Sequence, residues 1–66
     1  MTVCINGQKV SFESGTTVAD FLRQKQINQE TVVIEYNGSI LPRESFGETV
    51  LKEQDALEVL RFVGGG

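Results

Sequence analysis

Few residues of this sequence carry reactive chemistry, and the sharpest candidate is the stretch RFVGGG at residues 61–66. Gly66, the last of them, presents an α-carboxylate that is ionised at neutral pH, given an ordinary pKa of about 3.5. Gly64 and Gly65 have no Cβ, so such a tail fits a channel too narrow for other residues and leaves the carboxyl unhindered. Residues 63–66 can reach about 13 Å from a folded body, at ~3.3 Å per residue. A carboxylate is a weak nucleophile, yet a partner that brings it to the α-phosphate of ATP turns it into an acyl-adenylate. The carbonyl is then activated, AMP is a good leaving group, and a sulfur nucleophile can replace it to leave a thiocarboxylate on Gly66. The competing reading is a frayed, unused terminus, the common state of chain ends.

The rest of the sequence excludes more chemistry than it offers. There is no histidine and a single cysteine, Cys4, in 66 residues. That rules out a disulfide within the chain, a Ser-His-Asp or Cys-His arrangement, and a four-ligand zinc site. Cys4 has no histidine or second thiol to activate it and is read as incidental. The final glycines match neither a P-loop nor a dinucleotide fingerprint, both of which need a helix to follow. The nine Asp and Glu residues are scattered and read as a solvated surface, leaving a net charge of −3. Nucleic acid is therefore not an expected partner, acidic partners are disfavoured, and a basic groove on another protein is the natural counterpart. No catalytic residue, metal or bound cofactor is expected; the chain reads as a substrate or binding partner.

The N-terminal MTVCINGQKV lacks the basic run and apolar stretch of a signal peptide, and no segment approaches a membrane span. Together with an unpaired cysteine this leads to an expected cytoplasmic location.

The tail needs a body to carry it. Asn6-Gly7 within VCINGQKVSF is a strong two-residue type I′ hairpin signal. With those two residues as the loop, Ile5 faces Gln8, Val3 faces Val10 and Met1 faces Phe12. Met1, Val3, Ile5, Val10 and Phe12 then share one sheet face, and Thr2, Cys4, Lys9 and Ser11 the other. In TTVADFLRQKQI, Thr17 and Asp20 form a capping-box pattern, and Val18, Phe21 and Leu22 follow at helical spacing. A helix of roughly ten residues with one apolar stripe must lie on the apolar sheet face. TVVIEYNGSILP gives a third strand, a second Asn-Gly turn at Asn37-Gly38 and a short return strand limited by Pro42. Val32, Ile34 and Tyr36 occupy one face of that third strand, Val33 and Glu35 the other. The irregular segment from Arg43 to Asp55 is expected to plug the core with Phe46, Val50 and Leu51. ALEVLRF is the last strand, with Leu57 and Val59 alternating against Glu58, Leu60 and Phe62.

A single helix covers only one side of a small sheet. Leu60 and Phe62 thus join Val33 and Cys4 on a face open to water, beside the tail, where an apolar cluster reads as a docking surface.

The element order β-β-α-β-β-β, the open sheet face and the terminal Gly-Gly resemble the ubiquitin-like β-grasp family. Within it the chain is most similar to the small sulfur carriers of thiamine biosynthesis. The stretches that carry the likeness are NG at 6–7, TTVADFL at 16–22, YNGSILPRE at 36–44 and DALEVLRFVGGG at 55–66, so it spans the whole sequence. The resemblance implies an α+β fold, a mixed five-stranded sheet with one helix packed on one face. It also implies a domain at residues 1–62 and a flexible glycine tail at 63–66. It implies that Gly66 is adenylated by a ubiquitin-activating-type enzyme with ATP and takes sulfur from a donor protein. The thiocarboxylate would then pass that sulfur to thiazole synthase. Gly64 and Gly65 would lie in the activating enzyme's channel, and Leu60, Phe62 and Val63, with Val33 beside them, would contact partners. Carriers for molybdopterin synthesis or tRNA thiolation, and ubiquitin-like protein modifiers, share the chemistry at Gly66 and differ in the acceptor. Gly64 makes a third glycine where most of the wider family has a larger residue, which loosens the tail without altering its terminal chemistry.

Overall fold

The computed structural model describes residues 1–61. The expectations placed on Phe62, Val63, Gly64, Gly65 and Gly66, including the tail and the boundary between residues 62 and 63, lie outside the described residues.

Strand β1 (Thr2–Ile5) turns at Asn6-Gly7 into β2 (Gln8–Ser11). Both turn residues have positive φ, 50° and 84°, as a type I′ turn requires. The register is the expected one, with Ile5 opposite Gln8 and Val3 opposite Val10. Met1 and Phe12 exchange hydrogen bonds of 2.9 Å in both directions beyond it.

Helix α1 (Val18–Gln24) starts in the capping box foreseen at Thr17. The Thr17 hydroxyl accepts from the Asp20 amide at 3.0 Å, and the Asp20 carboxylate accepts from the Thr17 amide at 3.1 Å. These bonds hold the Asp20 carboxyl below its usual range, helped by Arg23. The helix runs for seven residues rather than about ten. It is stopped by Gln26 at φ 59°, where the Gln26 amide donates to the Arg23 carbonyl and the Ile27 amide to the Leu22 carbonyl. That pair of bonds is a Schellman closure with glutamine in the place glycine usually takes.

A 3₁₀ turn (Gln29–Thr31), capped by the Asn28 side chain, leads into β3 (Val32–Tyr36). Asn37-Gly38 reverses the chain into β4 (Ser39–Leu41), which ends at Pro42 and a second 3₁₀ turn (Arg43–Ser45). Strand β5 (Ala56–Arg61) then inserts into the middle of the sheet, giving the order β2-β1-β5-β3-β4. It runs parallel to β1 and antiparallel to β3, so the sheet is mixed.

Between helix and sheet lie Val3, Phe12, Val18, Phe21, Leu22, Val32, Ile34 and Leu57, with Phe46 and Leu51 supplied by the crossing segment. Phe12 and Phe21 meet edge to face at 5.5 Å, the arrangement aromatic quadrupoles favour. The crossing segment is also hydrogen-bonded to the helix start. The Val18 amide donates to Thr49 at 3.0 Å and the Ala19 amide to Phe46 at 3.1 Å, satisfying amides that have no acceptor within the helix. Val50 departs from expectation. It forms an isolated bridge with Thr17 and is 44% exposed, because extended backbone turns neighbouring side chains to opposite sides and the inward place goes to Leu51.

Candidate functional site: the open sheet face and the outgoing end of β5

Strand β5 ends at Arg61, immediately before residues 62–66 in the sequence, so whatever fixes β5 fixes the point from which those residues continue. Its start is anchored by Asp55, which is 7% exposed. One Asp55 carboxylate oxygen accepts from the Tyr36 hydroxyl at 2.6 Å and from the Lys52 amide at 2.8 Å; the other accepts from the Asn37 side chain at 3.2 Å. Burial works to raise the Asp55 pKa, but the hydrogen bonds from Tyr36, Lys52 and Asn37 outweigh it and hold the carboxyl below its ordinary value. The Tyr36 phenol is pushed up to about 12 by burial and by the carboxylate it serves. Asn37 completes the clamp: its side-chain oxygen accepts from the Ala56 amide and its own amide donates to the Ala56 carbonyl, both at 2.8 Å. Farther along, the Asn6 side chain accepts from the Val59 amide at 2.7 Å, and the Asn6 amide donates to the Leu57 carbonyl at 2.9 Å.

With β5 held on both sides, its alternate residues are displayed on the face the helix does not cover. Leu60 stands directly opposite Val33 in the β3–β5 register. Leu60 is 48% exposed and Val33 half-buried, so these two expected docking residues are brought together. Sequence reasoning missed Ile40 on this face and the direct opposition of two glutamates it had placed there. Ile40, 62% exposed, lies opposite Glu35, and Glu35 lies opposite Glu58. The signal for Ile40 was available, since pairing outward from Asn37-Gly38 puts it on the Glu35 face. Two carboxylates directly opposed across an antiparallel pair repel one another. A cation brought by a partner would relieve that repulsion, which suits the basic counterpart expected from net charge. Cys4 also lies on this face, half-buried, opposite Lys9 and Ala56.

Among the described residues no three His, Cys, Asp or Glu side chains are grouped to hold a metal ion. No described helix is long and apolar enough to cross a membrane. The arrangement offers a surface and a directed strand.

Known proteins resemble this chain along its length. A sequence profile of the ThiS family matches residues 2–66. The sulfur carrier protein ThiS of Bacillus subtilis is 35% identical over 63 residues, covering 94% of this chain and 96% of that protein. A thiazole synthase of Magnetococcus marinus is 36% identical over all 66 residues. The chain spans a fifth of the length of that protein and of a second thiazole synthase, from Paramagnetospirillum magneticum. In structure, the crystallised thiamine biosynthesis protein ThiS of Geobacter metallireducens superposes with a TM-score of 0.83 at 36% identity, with both chains fully covered. The mixed five-stranded sheet with one helix on one face is the ubiquitin-like β-grasp, and the chain belongs to the ThiS family.

Proposed function

We propose that this protein is a non-catalytic sulfur carrier of thiamine biosynthesis, with the α-carboxylate of Gly66 as the carrying group. The observation that bears most weight is the family match over residues 2–66, which takes in the closing glycines, together with the likeness to a sulfur carrier protein over 94% of the chain. In the proposed sequence an activating enzyme brings the carboxylate to ATP. A carboxylate oxygen bonds to the α-phosphorus and pyrophosphate leaves. A hydrosulfide-level sulfur, supplied by a donor protein, then attacks the activated carbonyl. The bond to AMP breaks, AMP departs with its bonding pair, and the sulfur's proton is lost to solvent. The thiocarboxylate that remains is delivered to thiazole synthase, a partner supported by the two thiazole synthases in which a region like this chain makes up a fifth of the length. Gly64 and Gly65 pass through the activating enzyme's channel, while Leu60, Val33, Phe62 and Val63 dock the body.

The test is intact-mass measurement after incubation with the cognate activating enzyme, ATP and a sulfur donor. The full chain should gain the mass of one sulfur in place of one oxygen, and a variant lacking Gly66 should gain nothing while unfolding like the parent. No gain in the full chain, or a normal gain in the shortened one, overturns the proposal.

A further inference from the structure

The open face is not the only unfilled surface beside the outgoing end of β5. On the helix side, a groove of about 460 Å³ lies between the β1–β2 hairpin, the last turn of α1 and the end of β5. Val10, Phe21, Ile27 and Val59 contribute apolar lining, and Lys25 and Arg61 add two cations to it. The groove borders the point where α1 stops after seven residues, and Val10 and Ile5 in its lining are only partly buried. One wall is β2, the edge strand of the sheet, with a strand neighbour on one side only. The chain as a whole carries a net charge of −3, yet two of its six cations line this one groove, and neither forms an ion pair among the described residues.

We infer that this groove is a second docking surface, taking an extended protein segment that inserts an apolar side chain over Val10, Phe21 and Val59 and sets a carboxylate between Lys25 and Arg61. The segment belongs to an enzyme that receives the tail, so the inference rests on the carrier function proposed above. Three observations select this occupant. The groove is open, with apolar residues lining part of it, which suits an inserted side chain. The cations select an anion, against the sign of the molecule as a whole, and the charges of the open face select the opposite. Arg61 is also the last described residue before the tail, so any enzyme that swallows residues 62–66 must come close to it. Local charge thus overrides the expectation from net charge that acidic partners are disfavoured. Each partner would meet β5 between a basic groove on the helix side and an acidic, apolar face on the other.

The test measures association of the full chain with the cognate activating enzyme and with thiazole synthase by surface-immobilised kinetics, at low salt and at high salt. The variants are Lys25→Gln, Arg61→Gln and the double reversal Lys25→Glu/Arg61→Glu. The double reversal Arg23→Glu/Lys52→Glu, which changes net charge by the same amount at two exposed residues outside both surfaces, is the control. The Lys25→Glu/Arg61→Glu variant should slow association with at least one enzyme by roughly tenfold at low salt, as loss of electrostatic steering does, and the deficit should vanish at high salt. The two single variants should fall between, and the control double reversal should cost distinctly less. A circular-dichroism melt of each variant confirms the fold. If the parent binds either enzyme and the Lys25→Glu/Arg61→Glu variant binds both equally well, or no worse than the control, the groove is not a docking surface and the carrier function stands. If the parent binds neither enzyme, the carrier function falls and the groove's assignment with it.

Discussion

Tyr36→Phe tests the claim that a buried carboxylate fixes the start of β5. The substitution keeps the ring and removes one donor, the hydroxyl 2.6 Å from Asp55. A hydrogen bond to a charged group contributes about 1.5–3 kcal/mol, and Asp55 is 7% exposed, so water replaces the lost donor poorly. The expected loss is about 2 kcal/mol at neutral pH, or roughly 10 °C in melting temperature for so small a domain. The rise of the Tyr36 pKa from 10.0 to about 12, caused first by burial of the phenol and then by the Asp55 carboxylate, sets the alkaline side of the test. The pH profile carries a sign on each side. Asp55 has a lowered folded-state pKa, so its contribution is present above the unfolded value of 3.8 and is lost as pH falls through the lower folded value. Tyr36 has a raised one, so its contribution is complete below pH 10.0 and is lost as pH climbs toward 12. Urea unfolding of both proteins across this range should show a gap that is constant in the middle, narrows in acid below pH 3.8, and closes in alkali between pH 10.0 and 12. A gap under ~0.5 kcal/mol at pH 7, the size of an ordinary surface substitution, would refute the reasoning.

Other substitutions separate core from surface. Phe46→Ala should cost about 3–5 kcal/mol in urea unfolding, whereas Val50→Ala, despite a similar place in the sequence, should cost under ~1 kcal/mol. Thr17→Ala removes the hydroxyl of the capping box and should lower stability by about 1 kcal/mol, read from the same denaturation curves. Leu60→Ala should weaken calorimetric binding to the activating enzyme by more than it weakens the fold. Glu58→Gln should leave the free protein as stable or a few tenths of a kcal/mol more so, since it relieves the repulsion from Glu35, while binding to the same enzyme falls.

What the sequence disclosed depended on how local the cause was. Both Asn-Gly turns and the capping box are made by residues within a few positions of one another, and each stands where the letters put it. The register of the first hairpin followed because turn and hydrophobic alternation had to agree. The end of α1 was hidden because its left-handed closing residue is Gln26, which carries no breaker signal, and the bonds that seal it join Ile27 to Leu22 and Gln26 to Arg23. Val50 was misplaced because two adjacent apolar residues in an irregular segment do not say which one turns inward. The Asp55 cluster was invisible for a different reason. Its members are polar, lie 18 and 19 positions apart at Asn37 and Tyr36, and leave no periodic trace. On the site itself, alternation puts Val33, Glu35, Glu58 and Leu60 on one face, while which of them stand opposite one another depends on the register between β3 and β5, which no turn specifies.

That register is the problem the fold has to solve. Strands β1 and β2, and β3 and β4, are aligned by the hairpins that join them, but β5 arrives from an irregular segment and enters between two strands it does not follow in sequence. The solution uses the two turns a second time. Asn6 and Asn37 both hold the positive φ that a type I′ turn needs, and both reach sideways to β5, where their side-chain oxygens accept from Val59 and Ala56. Aspartate would make either turn comparably well, and at position 6 its carboxylate would still accept from Val59. At position 37 it would not serve, because the Asn37 amide group also donates to Asp55 and a carboxylate there would face another. The motifs YNG at 36–38 and DALEV at 55–59 are thus two halves of one clamp. Its consequence is felt at the far end of the strand, where fixing Ala56 against Asn37 and Val59 against Asn6 sets which face Leu60 takes and where Arg61, the residue before 62–66, stands.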